Sequence, residues 1–207
     1  MSEPIKPLEK RHAAAAAQLH RTGIDTGFLS SLGQRFLTQL YSAIPSCPAG
    51  FGYVWEEADS AVLGFIACAT STGRLYKQAL VRRGLHMAWP LARFLLSPRT
   101  LRRIFQTLRY PAQVGGDLPD AELLSISVSS AARGKGVGTA LMQAAQAEFQ
   151  RRGVEHFKLA VWAGNEPANR FYRGCGFRLA LQREHHGMPM NVYVIGPLTP
   201  ADPPKAV

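Results

Sequence analysis

The sequence predicts a mixed α/β fold in which helices flank a central sheet, and three observations carry that expectation. Residues 122–128, Glu-Leu-Leu-Ser-Ile-Ser-Val, form an apolar strand that runs into a glycine-rich turn and then a long amphipathic helix over residues 137–152. Residues 51–57 and 61–70 are rich in Val, Phe, Ile and Trp, and Ala58, Asp59 and Ser60 join them as the turn of an antiparallel hairpin. A further alternating strand at residues 156–162 leads into a compact segment holding Asn165, Asn169, Phe171 and Tyr172.

Taken in order, residues 8–21 are alanine-rich and helical in propensity, with Gly23 as the stop. Residues 28–43 read as a second helix, because Phe28, Leu29, Leu32, Phe36, Leu37 and Leu40 recur three or four apart. Pro45 and Pro48 end it. In the hairpin, Gly64 marks a bulge or a close backbone approach.

Residues 75–83, 85–96 and 100–108 read as short helices broken at Gly84, Pro90 and Pro98. They carry Lys77, Arg82, Arg83, Arg93, Arg99, Arg102, Arg103 and Arg109 among apolar residues. Such a basic insertion either grips an anionic substrate or surface, or is an ordinary pair of surface helices with its leucines in the core. Solvated charged faces are common, which favours the second reading.

The link at residues 114–120 enters the central strand, and the following helix turns Val137, Leu141, Ala144, Ala145 and Phe149 inward until Gly153 closes it. Strands at residues 177–183 and 190–195 flank a turn at residues 185–187. Residues 197–207, with four prolines, are expected to form a disordered tail, so that residues 1–196 make one domain without an internal repeat.

At 207 residues and 46% hydrophobic content, the chain can fill one full core. Its formal charge of +10 suits a polyanionic ligand, an acidic substrate, nucleic acid or an anionic surface. Neither a zinc-finger spacing nor an RNA-binding aromatic motif is present. Cys47, Cys68 and Cys175 are odd in number and scattered, which argues against a disulfide framework or a paired zinc site. The start lacks the apolar stretch of a signal peptide, and no run of roughly 18 apolar residues is available to span a bilayer. The expectation is a cytoplasmic protein with no transmembrane segment.

The turn after the central strand is built to hold an anion. Gly134, Gly136 and Gly138 stand at alternate positions, which clears side chains from backbone N–H groups at a helix N-terminus, and Arg133 and Lys135 add two cations. The dinucleotide fingerprint fails here, because its third glycine would fall at Thr139 or Leu141. A Walker loop fails too, since Gly134-Lys135 is followed by Gly136 rather than Ser or Thr.

What fits is Arg133-x-x-Gly136-x-Gly138, which resembles the acyl-CoA pyrophosphate loop of the GNAT superfamily of N-acetyltransferases. Downstream, Asn165, Ala168, Phe171, Tyr172, Gly176 and Phe177 resemble a second motif of that superfamily, in the same order. The resemblance spans residues 122–179. It implies a GNAT-like fold, with a central mixed but mostly antiparallel sheet flanked by helices and a helical insertion over residues 74–110 that lies over the acceptor as a lid. It also makes the two helices before residue 43 one wall of the acceptor site.

The resemblance implies acetyl-CoA as acyl donor and transfer of its acetyl group to a primary amine. Residues Arg133, Gly134, Lys135, Gly136, Val137, Gly138 and Thr139 would take the pyrophosphate, and the backbone of Ile126, Ser127 and Val128 would pair with the pantetheine arm. A bulge in that strand would aim an N–H at the thioester carbonyl. Asn165 and Asn169 match positions that touch the cofactor arm in the family, and Tyr172 also stands at its sulfur end.

Direct acetyl transfer needs a base for the amine and an acid for the departing thiolate. Tyr172 matches the family's acid, and its phenol keeps its proton at neutral pH; the alternative is an aromatic packing pair with Phe171. Glu122 is the candidate base, since some family members place a carboxylate there that deprotonates the acceptor through water. The alternative is a structural ion pair or a solvated strand end. Alternation along the strand puts Glu122, Leu124, Ile126 and Val128 on one face.

His185 and His186 are adjacent and lack a third ligand, so no metal is expected. Cys175 lacks a His partner and reads as packing, and no nucleophile elbow is present. Two other classes stand beside the enzyme: a non-catalytic acyl-CoA sensor or interaction module, and a basic adaptor for membrane surfaces or nucleic acid using residues 74–110. The acceptor's identity and the acyl-chain length are not legible, and pairing at a sheet edge would make a homodimer.

Overall fold

A computed structural model describes residues 4–24, 28–78, 81, 118–185 and 187–198. Its strands are β1 (Ile5–Pro7), β2 (Gly50–Glu56), β3 (Val62–Ala69), β4 (Glu122–Val128), β5 (Phe157–Trp162), β6 (Arg178–His185) and β7 (Met188–Ile195). They form one seven-stranded sheet in the order β1-β2-β3-β4-β5-β7-β6. Every neighbouring pair is antiparallel except β4 and β5, which run parallel. The mixed, mostly antiparallel sheet is therefore present.

Helices cover both faces. On one side lie α1 (Ala13–Gly23), α2 (Phe28–Ser31) and α3 (Gln34–Ala43). There Ala16, Ala17, Leu37 and Tyr41 pack against Val54, Phe65 and Ala67. The alanines let α1 lie close to the sheet, which is why an alanine-rich segment is the one buried. On the other side lie α4 (Val137–Arg151) and α5 (Glu166–Gly174). Here Val137, Leu141, Ala145, Phe149 and Tyr172 pack against Ile66, Cys68, Leu123 and Leu159. Phe149 stacks on Phe157 with centroids 4.2 Å apart and meets Phe51 edge-on at 4.8 Å. Truncating such a ring costs about 3–5 kcal/mol.

The structure corrects four expectations. The helix over residues 28–43 is two: Gly33 takes φ 87° and becomes the N-cap of α3, ending the run that the apolar spacing carries across it. The inward stripe of α4 includes Met142, whereas Ala144 is only half-buried. The tail begins ordered, with the Leu198 N–H donating to the Glu155 carbonyl at 2.9 Å and Leu198 packed on the core.

The fourth correction concerns β4. Its ladder with β3 slips between Ala67 and Cys68, leaving Leu124 as the extra residue. Leu124 consequently joins the α1–α3 face, while Leu123, Ile126 and Val128 join the α4–α5 face. Strict alternation does not survive a bulge, so Glu122 does not share a face with Ile126 and Val128.

The hairpin forms as read, with Ser60 at φ 66° in its turn. A second slip beside Gly64 marks the bulge expected there, and a side chain at Gly64 would press on Val137 and Leu141 at 3.1 Å. Helical residues 72–78 begin the basic stretch. The rest of that stretch, the disordered-tail expectation for residues 199–207 and the placement of His186 lie outside the described residues.

Candidate active site

The parallel strands form a fork. The β4–β5 ladder has one pair among the described residues, Glu122 with Lys158. Beyond it β4 keeps β3 on one side and has no strand on the other. The bulge at Leu124 sits just above that pair, and the extra residue has no partner in the β3 register. Side chains from the α1–α3 layer brace this stretch. Ser125 donates to the Leu124 carbonyl at 2.7 Å and hydrogen-bonds Tyr41, while Tyr41 and His20 Nδ1 share a 2.5 Å bond. Ser127 donates to the Leu19 carbonyl at 2.8 Å. These bonds commit the serine side chains to the fold, so what Ile126, Ser127 and Val128 offer on the fork side is backbone.

The glycine turn lies at the splayed end of the fork. Gly134 at φ 76° and Gly136 at φ 81° occupy the left-handed region, and a Cβ built on either meets nothing within 4 Å. Gly136 is the N-cap of α4 without a side-chain cap, and the first turn carries no acidic residue. The Ala140 N–H bonds the Gly136 carbonyl at 3.0 Å, so those of Val137, Gly138 and Thr139 precede the first intrahelical acceptor. Such a helix start favours an anion. Arg133 is exposed and anchors its Nε on the Val128 carbonyl at 3.3 Å, and Lys135 is exposed beside it. Gly138 differs from the other two: its missing Cβ would face the Phe171 ring at 3.5 Å, so it serves the seating of α5 on α4.

The second motif divides into two kinds of residue. Asn165 caps α5, its side-chain oxygen accepting from the Ala168 N–H at 3.2 Å. Asn169 is buried and fully spent: its amide donates to the carbonyls of Trp162, Ala163 and Asn165, and its oxygen accepts from Asn191 and Tyr193. It ties the end of β5 to α5 and β7. Tyr172 is 8% exposed, ringed by Phe171, Phe177 and Tyr193. Burial pushes its phenol above the ordinary value, and the nearby Cys175 adds to the shift. The ring is part of the core, and burial favours its protonated form.

Glu122 sits at the closed end, buried, with Oε2 3.3 Å from the Thr72 hydroxyl and 3.7 Å from Lys158 Nζ. Thr72 also donates to the Asp120 carbonyl at 2.9 Å. Tyr76 lies close enough that Glu122 contributes to raising its pKa, after burial. Lys158 was missed in the sequence. Its signal was a lysine inside an apolar strand, on the face opposite Phe157, Leu159 and Val161. The glycine turn and the Glu122 corner therefore stand at opposite ends of one fork, with the bulge between them.

No cluster of three metal-binding side chains occurs among the described residues, and no described helix is long and apolar enough to cross a membrane. His185 ends β6, and Cys175 is half-buried with its thiol pushed up by burial.

A parallel pair that splays around a bulge and ends in a capless, glycine-opened helix start is a distinctive arrangement, and comparison with known proteins agrees with it. Among solved structures, an acetyltransferase-family protein from Kribbella flavida, described as a GCN5-related N-acetyltransferase, superposes with a TM-score of 0.60 at 19% identity, covering 93% of this chain and 96% of that one. The putative acetyltransferase yncA from Salmonella typhimurium, solved with its cofactor acetyl-CoA, gives 0.60 at 16% identity and covers 100% of both chains. The ribosomal-protein-S18-alanine N-acetyltransferase from Escherichia coli gives 0.59 at 14% identity over 96% of each. These likenesses establish the fold. No curated protein matches in sequence. The family model for the acetyltransferase (GNAT) family matches residues 26–177, a span that contains the fork, the glycine turn and both motifs, and the chain belongs to that family of N-acetyltransferases.

Proposed function

We propose that this protein transfers an acetyl group from acetyl-CoA directly to a primary amine of a small molecule or protein bound on the α1–α3 side of the fork. The observation that carries this reading is the fork itself, closed by Glu122 and Lys158 at one end and opened onto unpaired helix-start amides at the other. The N–H groups around Gly136, Val137, Gly138 and Thr139, with Arg133 and Lys135, hold the diphosphate. The free edge of β4 at Ile126, Ser127 and Val128 pairs with the pantetheine arm, and the bulge N–H polarises the thioester carbonyl. Asn165 and Asn169 set the position of α5. The basic residues of the stretch over residues 74–110 suit an acceptor with acidic groups.

In this reading Glu122 removes a proton from the ammonium form of the acceptor through a water, giving a neutral nucleophile. The nitrogen then attacks the carbonyl, the C–S bond breaks as Tyr172 gives its proton to the thiolate, and the second proton lost by the nitrogen passes through water to restore the phenol. Burial keeps the phenol protonated at neutral pH, so a proton is present when the thiolate departs, although the raised pKa makes its transfer less favourable.

Isothermal calorimetry with acetyl-CoA, followed by thiol release across an amine panel, tests the reading. Micromolar binding with amine-dependent thiol release is the expected outcome. Binding without release from any amine makes the protein an acyl-CoA sensor, and no heat with any CoA species removes the cofactor assignment altogether.

A further inference from the structure

We propose that Lys158 is a positioning residue that keeps Glu122 a carboxylate inside its buried corner, and so sets the pH at which the base becomes competent. The proposal rests on the reading of Glu122 as the base and adds a residue that neither motif contains.

The geometry is specific. Glu122 and Lys158 are the one ladder pair joining β4 to β5, so their side chains leave adjacent strands on the same face. Lys158 is 2% exposed and Glu122 7%, with Nζ 3.7 Å from Oε2. The ammonium is held from behind, because Nζ also donates to the Pro119 carbonyl and the Lys158 backbone N–H bonds the Ala121 carbonyl at 3.0 Å. Its direction is therefore fixed by the chain just before Glu122, the same chain that positions the carboxylate.

A buried carboxylate left alone takes up a proton, since burial disfavours its charged form, whereas a cation in contact holds it ionised. The same physics acts on Lys158: burial lowers its pKa, while Glu122 and Asp120 pull it back up. Among the described residues, Arg183 on β6, which opposes the Lys158 charge, and Tyr76 on the helical residues 72–78 also face the corner. Thr72 adds a neutral hydroxyl. Lys158 is the cation in ladder register with the carboxylate.

Carbon NMR of protein labelled at the glutamate carboxyl carbons reads this directly, with the Glu122 signal assigned by its loss in Glu122→Gln. Replacing Lys158 by Met is expected to raise the Glu122 midpoint by about one pH unit or more, while Lys158→Arg keeps it near the wild-type value. The acid limb of turnover, measured with one fixed acceptor, should move by the same amount. If Lys158→Met does not fold, Lys158→Gln carries the same expectation in a polar side chain. A folded variant that binds acetyl-CoA but leaves the Glu122 midpoint unmoved overturns the proposal. The turnover of Glu122→Gln separates this from the base reading. A wild-type rate there removes Glu122 as base whatever the titration shows, and a dead enzyme with an unmoved midpoint in Lys158→Met leaves the base in place while removing the role of Lys158.

Discussion

The two ends of the fork are built by opposite means. At the splayed end, recognition comes from backbone: two left-handed glycines, a capless helix start and a run of amides contributed by residues adjacent in the chain. At the closed end, chemistry comes from side chains that meet only in the folded state, with Thr72, Glu122 and Lys158 arriving from a helix and two strands. A ligand held by backbone tolerates drift in side-chain identity. A carboxylate held by side chains depends on each neighbour. On the proposed function, the first end binds a common cofactor, and the second is where one acetyltransferase can differ from another.

Tyr172 gives the largest expected effect and the strongest challenge to this division, because it belongs to the core packed under the splayed end yet is the proposed acid. Replacing Tyr172 by Phe keeps the ring contacts with Phe171, Phe177 and Tyr193 and removes only the hydroxyl. Turnover should fall by about 10²-fold or more, the range of a lost general acid, with acetyl-CoA affinity measured by calorimetry nearly unchanged. An equal loss in affinity would mean that binding and chemistry are not separable along the fork.

The next effect concerns the wall that braces the bulge. His20 is 2% exposed, bonded through Nδ1 to Tyr41, with its Nε2 buried and without a partner. Burial lowers its pKa to about 4. The folded pKa lies below the unfolded value, so the unfolded chain takes up the proton first, and stability is lost as pH falls from about 6.5 toward 4. The loss is on the order of 3 kcal/mol, and His12, lowered mainly by burial, adds in the same direction. Glu56 acts in a lower window, since its contact with Arg11 holds it at about 2 and the stability it contributes is lost only as pH falls below about 4.5. Urea unfolding at pH 7 and pH 5 should therefore show a slope that His20→Asn reduces, whereas Glu56→Gln, which removes a charge that raises the His12 pKa, should not reduce it. A slope indifferent to His20 would detach that wall from the buried histidine.

The same contrast explains what was legible in the sequence. The glycine turn and β4 are encoded over short stretches, where spacing alone carries the geometry, and they stand where the sequence placed them. The bulge at Leu124 left no such mark, because it is imposed by pairing with Ala67 and Cys68 some 55 residues away, and it moved Glu122 off the face that alternation assigned. Asn169 looked like a ligand contact because its motif position says so; its five protein partners are set by β5 and β7, which no local pattern reveals. Lys158 left the mark of a lysine inside an apolar strand, but its role was hidden for the same reason: its partner belongs to another strand.

The smallest predicted effect separates residues that the motif treats alike. Gly136 stands at φ 81°, where a β-branched side chain is strained, so Gly136→Val costs roughly 1–2 kcal/mol locally and drags the first amides of α4 from their positions. Acetyl-CoA affinity should drop by about tenfold, or somewhat more, with turnover at saturation largely kept. Gly138 has no positive φ, and a methyl there would meet the Phe171 ring at 3.5 Å, an ordinary contact. Gly138→Ala should change affinity by no more than about twofold, since a surface-like substitution without strain stays within about 0.5 kcal/mol. Calorimetry on the pair decides whether the splayed end works through backbone conformation. If the two variants weaken binding equally, space rather than conformation is what the turn supplies, and the contrast between the ends of the fork loses its physical basis.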